Sequence, residues 1–218
     1  MIVTPIILAA GESRRMGTPK ALLDFDGVTS LAMVLDTCLR SDAAMPILVV
    51  GHKESEVMAG IPAGVTVQVA VNAHWPHGQT SSLKVGLRAL PPEADAFLLY
   101  PIDVPLIRVS TVDALILAGA SAAVAAPPAT PAQPTRRPIV VPTWRGRRGH
   151  PAFFHRSLVS EFLALGDDEP AHLVLRVNPS RVFEVPVEDE AIVLGLNSPE
   201  EYRTALAAYR AGRPSRVG

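Results

Sequence analysis

Hydrophobic positions along the chain fall into two kinds of block. Ile2–Leu8, Pro46–Val50, Val65–Val71 and Ala96–Tyr100 are short, mostly apolar runs rich in β-branched residues. Such runs suit strands buried on both faces. Between them the spacing becomes helical. Leu31, Val34, Leu35, Cys38 and Leu39 form an i, i+3, i+4, i+7, i+8 stripe, which predicts an amphipathic helix that Ser30 can cap. A short polar helix is expected around Lys53–Ala59, and another opened by Thr80 and Ser81 with Leu83, Leu87 and Leu90 on one face. Ser110-Thr-Val-Asp113 has the spacing of a capping box. Ser198-Pro199-Glu200-Glu201 combines an N-cap, a proline at the first helical position and acids in the first turn. Tyr202, Leu206 and Tyr209 give the apolar face of that last helix, and Gly212 can end it.

Strands alternating with helices in this way predict an α/β fold: a doubly wound, mostly parallel sheet with helices on both faces. One domain over residues 1–218 accommodates the pattern, with no internal repeat. Residues 127–138 hold five prolines and no acid, so a surface loop is expected there, and residues 213–218 are expected to form a flexible tail.

Composition narrows the function. With 48% hydrophobic and 19% charged residues, the chain is that of an ordinary globular protein with enough length to bury a core. The 20 Lys and Arg against 21 Asp and Glu leave a net charge of −1, so no global field draws it to nucleic acid or an anionic membrane. One cysteine, Cys38, excludes an internal disulfide and a cysteine-rich metal cluster; a reducing, cytoplasmic setting is the expectation. The apolar uncharged stretch from Ala114 to Ala126 is too short to span a bilayer. The N-terminal run lacks the basic start of a signal peptide.

In open α/β sheets ligands bind at the carboxyl ends of strands. The first such end reads Leu8-Ala9-Ala10-Gly11-Glu12-Ser13-Arg14-Arg15-Met16-Gly17-Thr18-Pro19-Lys20. Small residues let backbone N–H groups approach a ligand and three cations follow, the chemistry of a phosphate cradle. The spacing Gly11-x5-Gly17-x2-Lys20 is neither a Walker A loop nor the dinucleotide G-x-G-x-x-G. A glycine turn with solvated arginines is the plain alternative.

This segment resembles the signature of the MobA-like NTP transferase superfamily, and within it the molybdenum cofactor cytidylyltransferases. Four further segments resemble that family in order: Asn72-Ala-His-Trp75-Pro-His-Gly78-Gln-Thr-Ser81-Ser82-Leu83, Pro101-Ile-Asp103-Val-Pro105, Gly149-His150-Pro151, and Gly195-Leu196-Asn197-Ser198-Pro199-Glu200. The resemblance implies a Rossmann-like nucleotidyltransferase fold. It implies in-line transfer of a nucleotidyl group from an NTP to an acceptor phosphate, with release of pyrophosphate, where the protein positions groups and neutralises charge. Backbone groups of Leu8, Ala9, Ala10, Gly11 and Ser13 would line the nucleotide. Arg15 would meet the β- and γ-phosphates and Lys20 the α-phosphate, so that Lys20, Arg15 and Asp103 form the catalytic set. Arg14 is left to solvent. Gly78, Ser81 and Ser82 would contact base and ribose, with helix capping as a competing role for the serines.

Asp103 follows a strand and is flanked by prolines, a setting for a Mg²⁺ ligand or for a turn aspartate. Asn197 is the second candidate ligand, or a polar turn residue before the cap Ser198. Ala10 stands where guanylyl-transferring relatives usually have Gly, which leans toward CTP. Arg136, Arg137, Arg145, Arg147 and Arg148 lie close together without an acid. With His150 they suit an anionic molybdopterin, and Arg148 and His150 are the acceptor-binding candidates, with solvated surface charge as the alternative. His74 and His77 lack a third ligand and read as loop histidines. Two departures stand out: Gly195 replaces an Asp common in relatives, and Gly166-Asp167-Asp168-Glu169-Pro170 only partly matches the usual G-D-x-G-A.

The leading expectation is CMP transfer from CTP to molybdopterin with Mg²⁺, with transient docking to a molybdoenzyme. Two others stay open: the same chemistry with GTP or another NTP and a different phosphorylated acceptor, or a non-catalytic chaperone that carries the cofactor.

Overall fold

The computed structural model of the chain describes residues 1–124 and 137–212. In chain order the strands and helices are β1 (Val3–Leu8), α1 (Ser30–Arg40), β2 (Ile47–Val50), α2 (Glu54–Ala59), β3 (Gln68–Val71), α3 (Gln79–Arg88), β4 (Ala96–Pro101), α4 (Val109–Val124), β5 (Ile139–Trp144), β6 (Arg147–Arg148), β7 (Ala152–His155), α5 (Val159–Ala164), α6 (Leu173–Val177), β8 (Val182–Pro186) and α7 (Pro199–Gly212). Most of residues 127–138, and all of 213–218, lie outside the described residues.

The described strands form one eight-stranded sheet in the order β3-β2-β1-β4-β7-β5-β6, with β8 also paired to β5. β3, β2, β1 and β4 are mutually parallel. β7 runs antiparallel to both β4 and β5, and β8 is parallel to β5. The expected doubly wound, mostly parallel sheet is therefore present, with β7 and the short β6 running antiparallel to their neighbours.

Side chains leave a strand alternately on its two faces, and the core divides accordingly. Ile7, Leu48, Leu98 and Tyr100 pack with Leu31, Leu35 and Cys38 of α1, Val57 of α2 and Leu115 of α4. Ile6, Leu8, Val49, Phe97 and Leu99 pack with Leu83 and Leu87 of α3, Phe162 of α5 and Val174 of α6. Helices thus cover both faces. A third cluster joins Leu23 and Phe25 to Leu196 and Ala205. Phe25 meets the rings of Tyr202 and Tyr209 edge-on at 5.5 and 5.6 Å, so α7 is clasped onto the loop that follows the glycine segment.

Two helix starts differ from expectation. Thr29, not Ser30, caps α1: its hydroxyl accepts from the Ala32 N–H at 3.2 Å, while Ser30 is buried in the first turn. Ser110 lies inside α4 instead of capping it. The Asp189 carboxylate, distant in sequence, accepts from the Arg108 N–H at 2.9 Å and from Thr111 at 2.6 Å at that helix start. Asp113 turns outward to accept from the Asp42 N–H. At α7 the cap is as expected, with the Ser198 hydroxyl accepting from the Glu201 N–H at 3.1 Å.

Candidate active site

The carboxyl ends of β1 and β4 lie side by side, with Leu8 in register with Pro101. The glycine loop leaves the first, Asp103 leaves the second, and a cleft of about 460 Å³ opens between them and the start of α3. Leu8, Ala9, Ala10, Gly11, Ser13, Lys20, Gly78, Ser82 and Asp103 line it. Ser13 holds a left-handed backbone, φ +55°, and its hydroxyl accepts from the Lys20 N–H at 3.1 Å. That bond folds the loop back so that Lys20 faces the strand ends.

Lys20 is the centre of the site. Its ammonium donates to Asp103 Oδ2 at 3.1 Å and to Asn197 Oδ1 at 2.8 Å. These residues are 83 and 177 positions away in sequence. Asn197 arrives because the Leu196 N–H donates to the Asp103 carbonyl at 2.9 Å, which anchors the approach to α7 beside the turn after β4. The backbone N–H of Asn197 is held in turn by the Glu201 carboxylate at 2.6 Å. A side chain at Gly195 would stand 2.7 Å from the Asn197 amide nitrogen, so glycine there leaves Asn197 room.

The two oxygens converge on one cation, here the Lys20 ammonium, and so fit a divalent cation as well. No cluster of three or more His, Cys, Asp or Glu suited to a metal exists among the described residues. A metal held by Asp103 and Asn197 would take its other ligands from phosphate and water, as Mg²⁺ does in nucleotide sites.

The Gly78–Ser82 side of the cleft is organised by one buried amide. Asn72 donates from Nδ2 to the hydroxyls of Ser81 and Ser82, both at 2.9 Å, and accepts from the His74 N–H at 2.9 Å. Ser81 is thereby committed to the loop and does not line the cleft; Ser82 does. Neither serine caps α3. Gly78 does, at φ +119°, a backbone open to glycine and costly for any side chain. The Ala10 methyl packs in the core cluster beside Trp75.

The arginines follow the sequence expectation only in part. The Arg14 side chain is 83% exposed, as expected, yet it edges the cleft and pairs with Glu12 at 2.5 Å. Arg15 is exposed and outside the lining. Arg148 and His150 line two further cavities that adjoin the cleft, of about 330 and 480 Å³. Arg148 is paired with Glu184 at 2.7 Å. Arg147, a member of the arginine cluster but not one of the two acceptor-binding candidates, lines the smaller one with Asp103 and Asn197. The arginine cluster is dispersed: Arg145 lies over the Trp144 ring at 4.6 Å, Arg137 over Phe183 at 5.7 Å, and Arg136 lies outside the described residues. Burial lowers the His150 pKa, opposed more weakly by the Asp103 carboxylate, and its Nδ1 is buried with no partner among the described residues.

Gln79 was also missed. It lines all three cavities; its one sequence signal is its place directly after Gly78. Lys84 was hidden because an interior lysine in a helical stripe reads as surface. It is buried, donates to the Leu165 carbonyl and pairs with Asp167 at 2.7 Å, which holds the Asp167 carboxyl below its usual range. His77 reaches the same carboxylate at 3.8 Å. These bonds tie Leu165 and Asp167 to α3 and to the turn before it.

Comparison with known proteins decides the family. The pattern of the MobA-like NTP transferase domain matches residues 5–182. The chain belongs to the MobA-like NTP transferase family. It is 36% identical over 113 residues to the bifunctional protein GlmU of Burkholderia orbicola, 51% of this chain and 24% of that protein. It is 34% identical over 140 residues to the 2-C-methyl-D-erythritol 4-phosphate cytidylyltransferase of Streptomyces avermitilis, 62% of this chain and 56% of that one. The chain thus spans well under two thirds of these relatives. Rv0371c of Mycobacterium tuberculosis superposes with a TM-score of 0.77 at 28% identity, over 95% of this chain and 98% of that one. It has also been solved as a complex with manganese, with a TM-score of 0.74. Among the described residues no helix is long and apolar enough to cross a membrane.

Proposed function

We propose that the chain is a nucleotidyltransferase that moves CMP from CTP to the phosphate of molybdenum-bound molybdopterin and releases pyrophosphate. The convergence of Lys20, Asp103 and Asn197 at the mouth of the glycine-loop cleft carries this proposal. The backbone of Ala9–Ser13 takes the nucleotide. Lys20 places a compact charge at the α-phosphate, where charge rearranges as pyrophosphate leaves. Arg15 meets the β- and γ-phosphates from outside the mouth, consistent with its exposure. Asp103 and Asn197 would hold Mg²⁺, which would supply charge neutralisation at the phosphates. The manganese complex of Rv0371c supports a divalent metal in this fold. The likeness to a cytidylyltransferase supports CTP. Arg147, Arg148 and His150, in the adjoining cavities, face an anionic acceptor.

The test is pyrophosphate release with each of the four NTPs, Mg²⁺ and molybdopterin, with the product weighed by mass spectrometry. CTP should be used in clear preference and the product should be the cytosine dinucleotide. A preference for another NTP, or turnover only with a sugar or polyol phosphate, would assign the same chemistry to a different pair of substrates. The likeness to GlmU keeps that second reading in view. Tight binding of the cofactor without pyrophosphate release would leave a carrier protein.

A further inference from the structure

The two oxygens assigned to the metal are held by a side chain of the protein itself, and this bears on the order in which ligands enter. Lys20 Nζ stands 3.1 Å from Asp103 Oδ2 and 2.8 Å from Asn197 Oδ1. The pair is only partly open to solvent, with 19% and 26% of the Lys20 and Asp103 side chains exposed. A divalent cation ligated by the same two oxygens would lie about 2.0–2.6 Å from each. It would fall within the space of the ammonium, and like charges at that separation repel strongly in a partly desolvated site. Metal and ammonium therefore exclude each other.

The backbone of Lys20 cannot yield, because its N–H is bonded to the Ser13 hydroxyl and the residue begins a 3-10 turn, Lys20–Leu22, behind buried Pro19. Only the side chain can move. Its alternative destination lies in the adjoining cleft, which Lys20, Asp103 and the glycine loop line together, and an α-phosphate there would draw the ammonium away.

We infer that Lys20 is an internal counter-cation that keeps divalent metal out of the Asp103–Asn197 site until a nucleotide phosphate draws it off, so that metal enters with or after the nucleotide. This rests on the assignment of Asp103 and Asn197 as metal ligands. It adds a second role for Lys20, acting before chemistry. By linkage, metal and nucleotide then raise each other's affinity through the same side chain.

The experiment is a Mn²⁺ titration of the nucleotide-free protein, with free Mn²⁺ followed by electron paramagnetic resonance. The wild type should bind weakly. Lys20→Met, similar in length and uncharged, should bind at least tenfold more tightly, and Lys20→Arg should stay weak. The double variant Lys20→Met/Asp103→Asn should return to weak binding. Lys20→Gln serves as a second uncharged variant, with thermal melting to verify folding. Equal Mn²⁺ affinity in wild type and both uncharged variants would overturn the inference. If Asp103→Asn then still loses the Mn²⁺ bound in the presence of CMP, the metal assignment stands and only the gating role falls. A gain in Lys20→Met that survives Asp103→Asn would put the metal elsewhere and overturn both.

Discussion

At the scale of single residues, the site separates side chains by what they face. Lys20 faces the strand ends and both candidate metal ligands, so its charge is worth most where charge shifts in the reaction. Lys20→Ala should lower kcat about 10²–10³-fold, the scale for losing one preorganised charged donor. Asp103→Asn should lower turnover by about 10² or more, since metal and charge stabilisation supply several kcal/mol. Both follow from pyrophosphate release at saturating Mg²⁺, and undiminished turnover in either would remove that residue from the mechanism. The adjacent arginines make a sharper comparison. Arg14 spends its charge on Glu12, whereas Arg15 is proposed for the β- and γ-phosphates. Arg15→Ala should raise KM for the NTP severalfold more than Arg14→Ala, with a smaller effect on kcat. The opposite ranking would mean that Arg14, already in the cleft lining, is the phosphate ligand.

At the scale of elements, one amide organises the loop between β3 and α3. Asn72 is 2% exposed and satisfies two hydroxyls and a backbone N–H in a segment with little regular structure of its own. Asn72→Ala leaves those groups short of partners, at about 1–3 kcal/mol for a buried unsatisfied group. It should lower the urea midpoint and also raise KM for the NTP, because Ser82 accepts from Asn72 directly and Ser81, its other hydroxyl partner, donates to the Gly78 carbonyl at 2.8 Å. A fall in stability without a change in KM would show the loop to be held elsewhere. The elements themselves were legible to unequal degrees. β1, β2 and β4 are near-continuous apolar runs, α1 and α7 carry clear stripes, and α7 has its expected cap, so local patterning placed them, although the α1 cap is Thr29, one residue earlier than expected. The α4 start was misread because its partner, Asp189, lies 78 residues from Thr111, and a local capping box imitates such an arrangement. β5 to β8 were not anticipated. β6 has only two residues and β7 four, β5 carries Pro142, and their pairing is a matter of tertiary context. The same holds within the site: the glycine loop announces itself, while Gln79, Arg147 and Lys84 acquire their positions only when distant segments meet.

At the scale of the whole molecule, the site lies on a seam. The parallel strands β3-β2-β1-β4 carry the proposed nucleotide side and the mixed strands β7, β5, β6 and β8 carry the proposed acceptor side, while the segment leading into α7 supplies Asn197. Opening either face of the sheet would therefore disturb the site, and Cys38 offers a way to watch it. This cysteine is fully buried between α1 and the sheet, and burial pushes its thiol pKa up to about 12. Thiol reagents attack the thiolate, so in the folded protein at pH 8 Cys38 is both inaccessible and almost entirely protonated. Exposed by unfolding, it returns to an ordinary pKa of about 8.5 and reacts. Labelling by a disulfide reagent such as Ellman's should therefore track opening of the core, slow in native buffer and fast in urea. A nucleotide that binds only the folded form should slow it by the factor 1 + [L]/Kd, about 100-fold at 100 times Kd. CTP with Mg²⁺ should give that protection, and Lys20→Ala, whose loss is expected in kcat more than in binding, should retain most of it. Rapid labelling of the native protein would mean that α1 detaches without global unfolding. Protection absent under saturating CTP would mean that the opening which exposes Cys38 leaves the nucleotide cleft intact, and that the two sides of the sheet come apart independently.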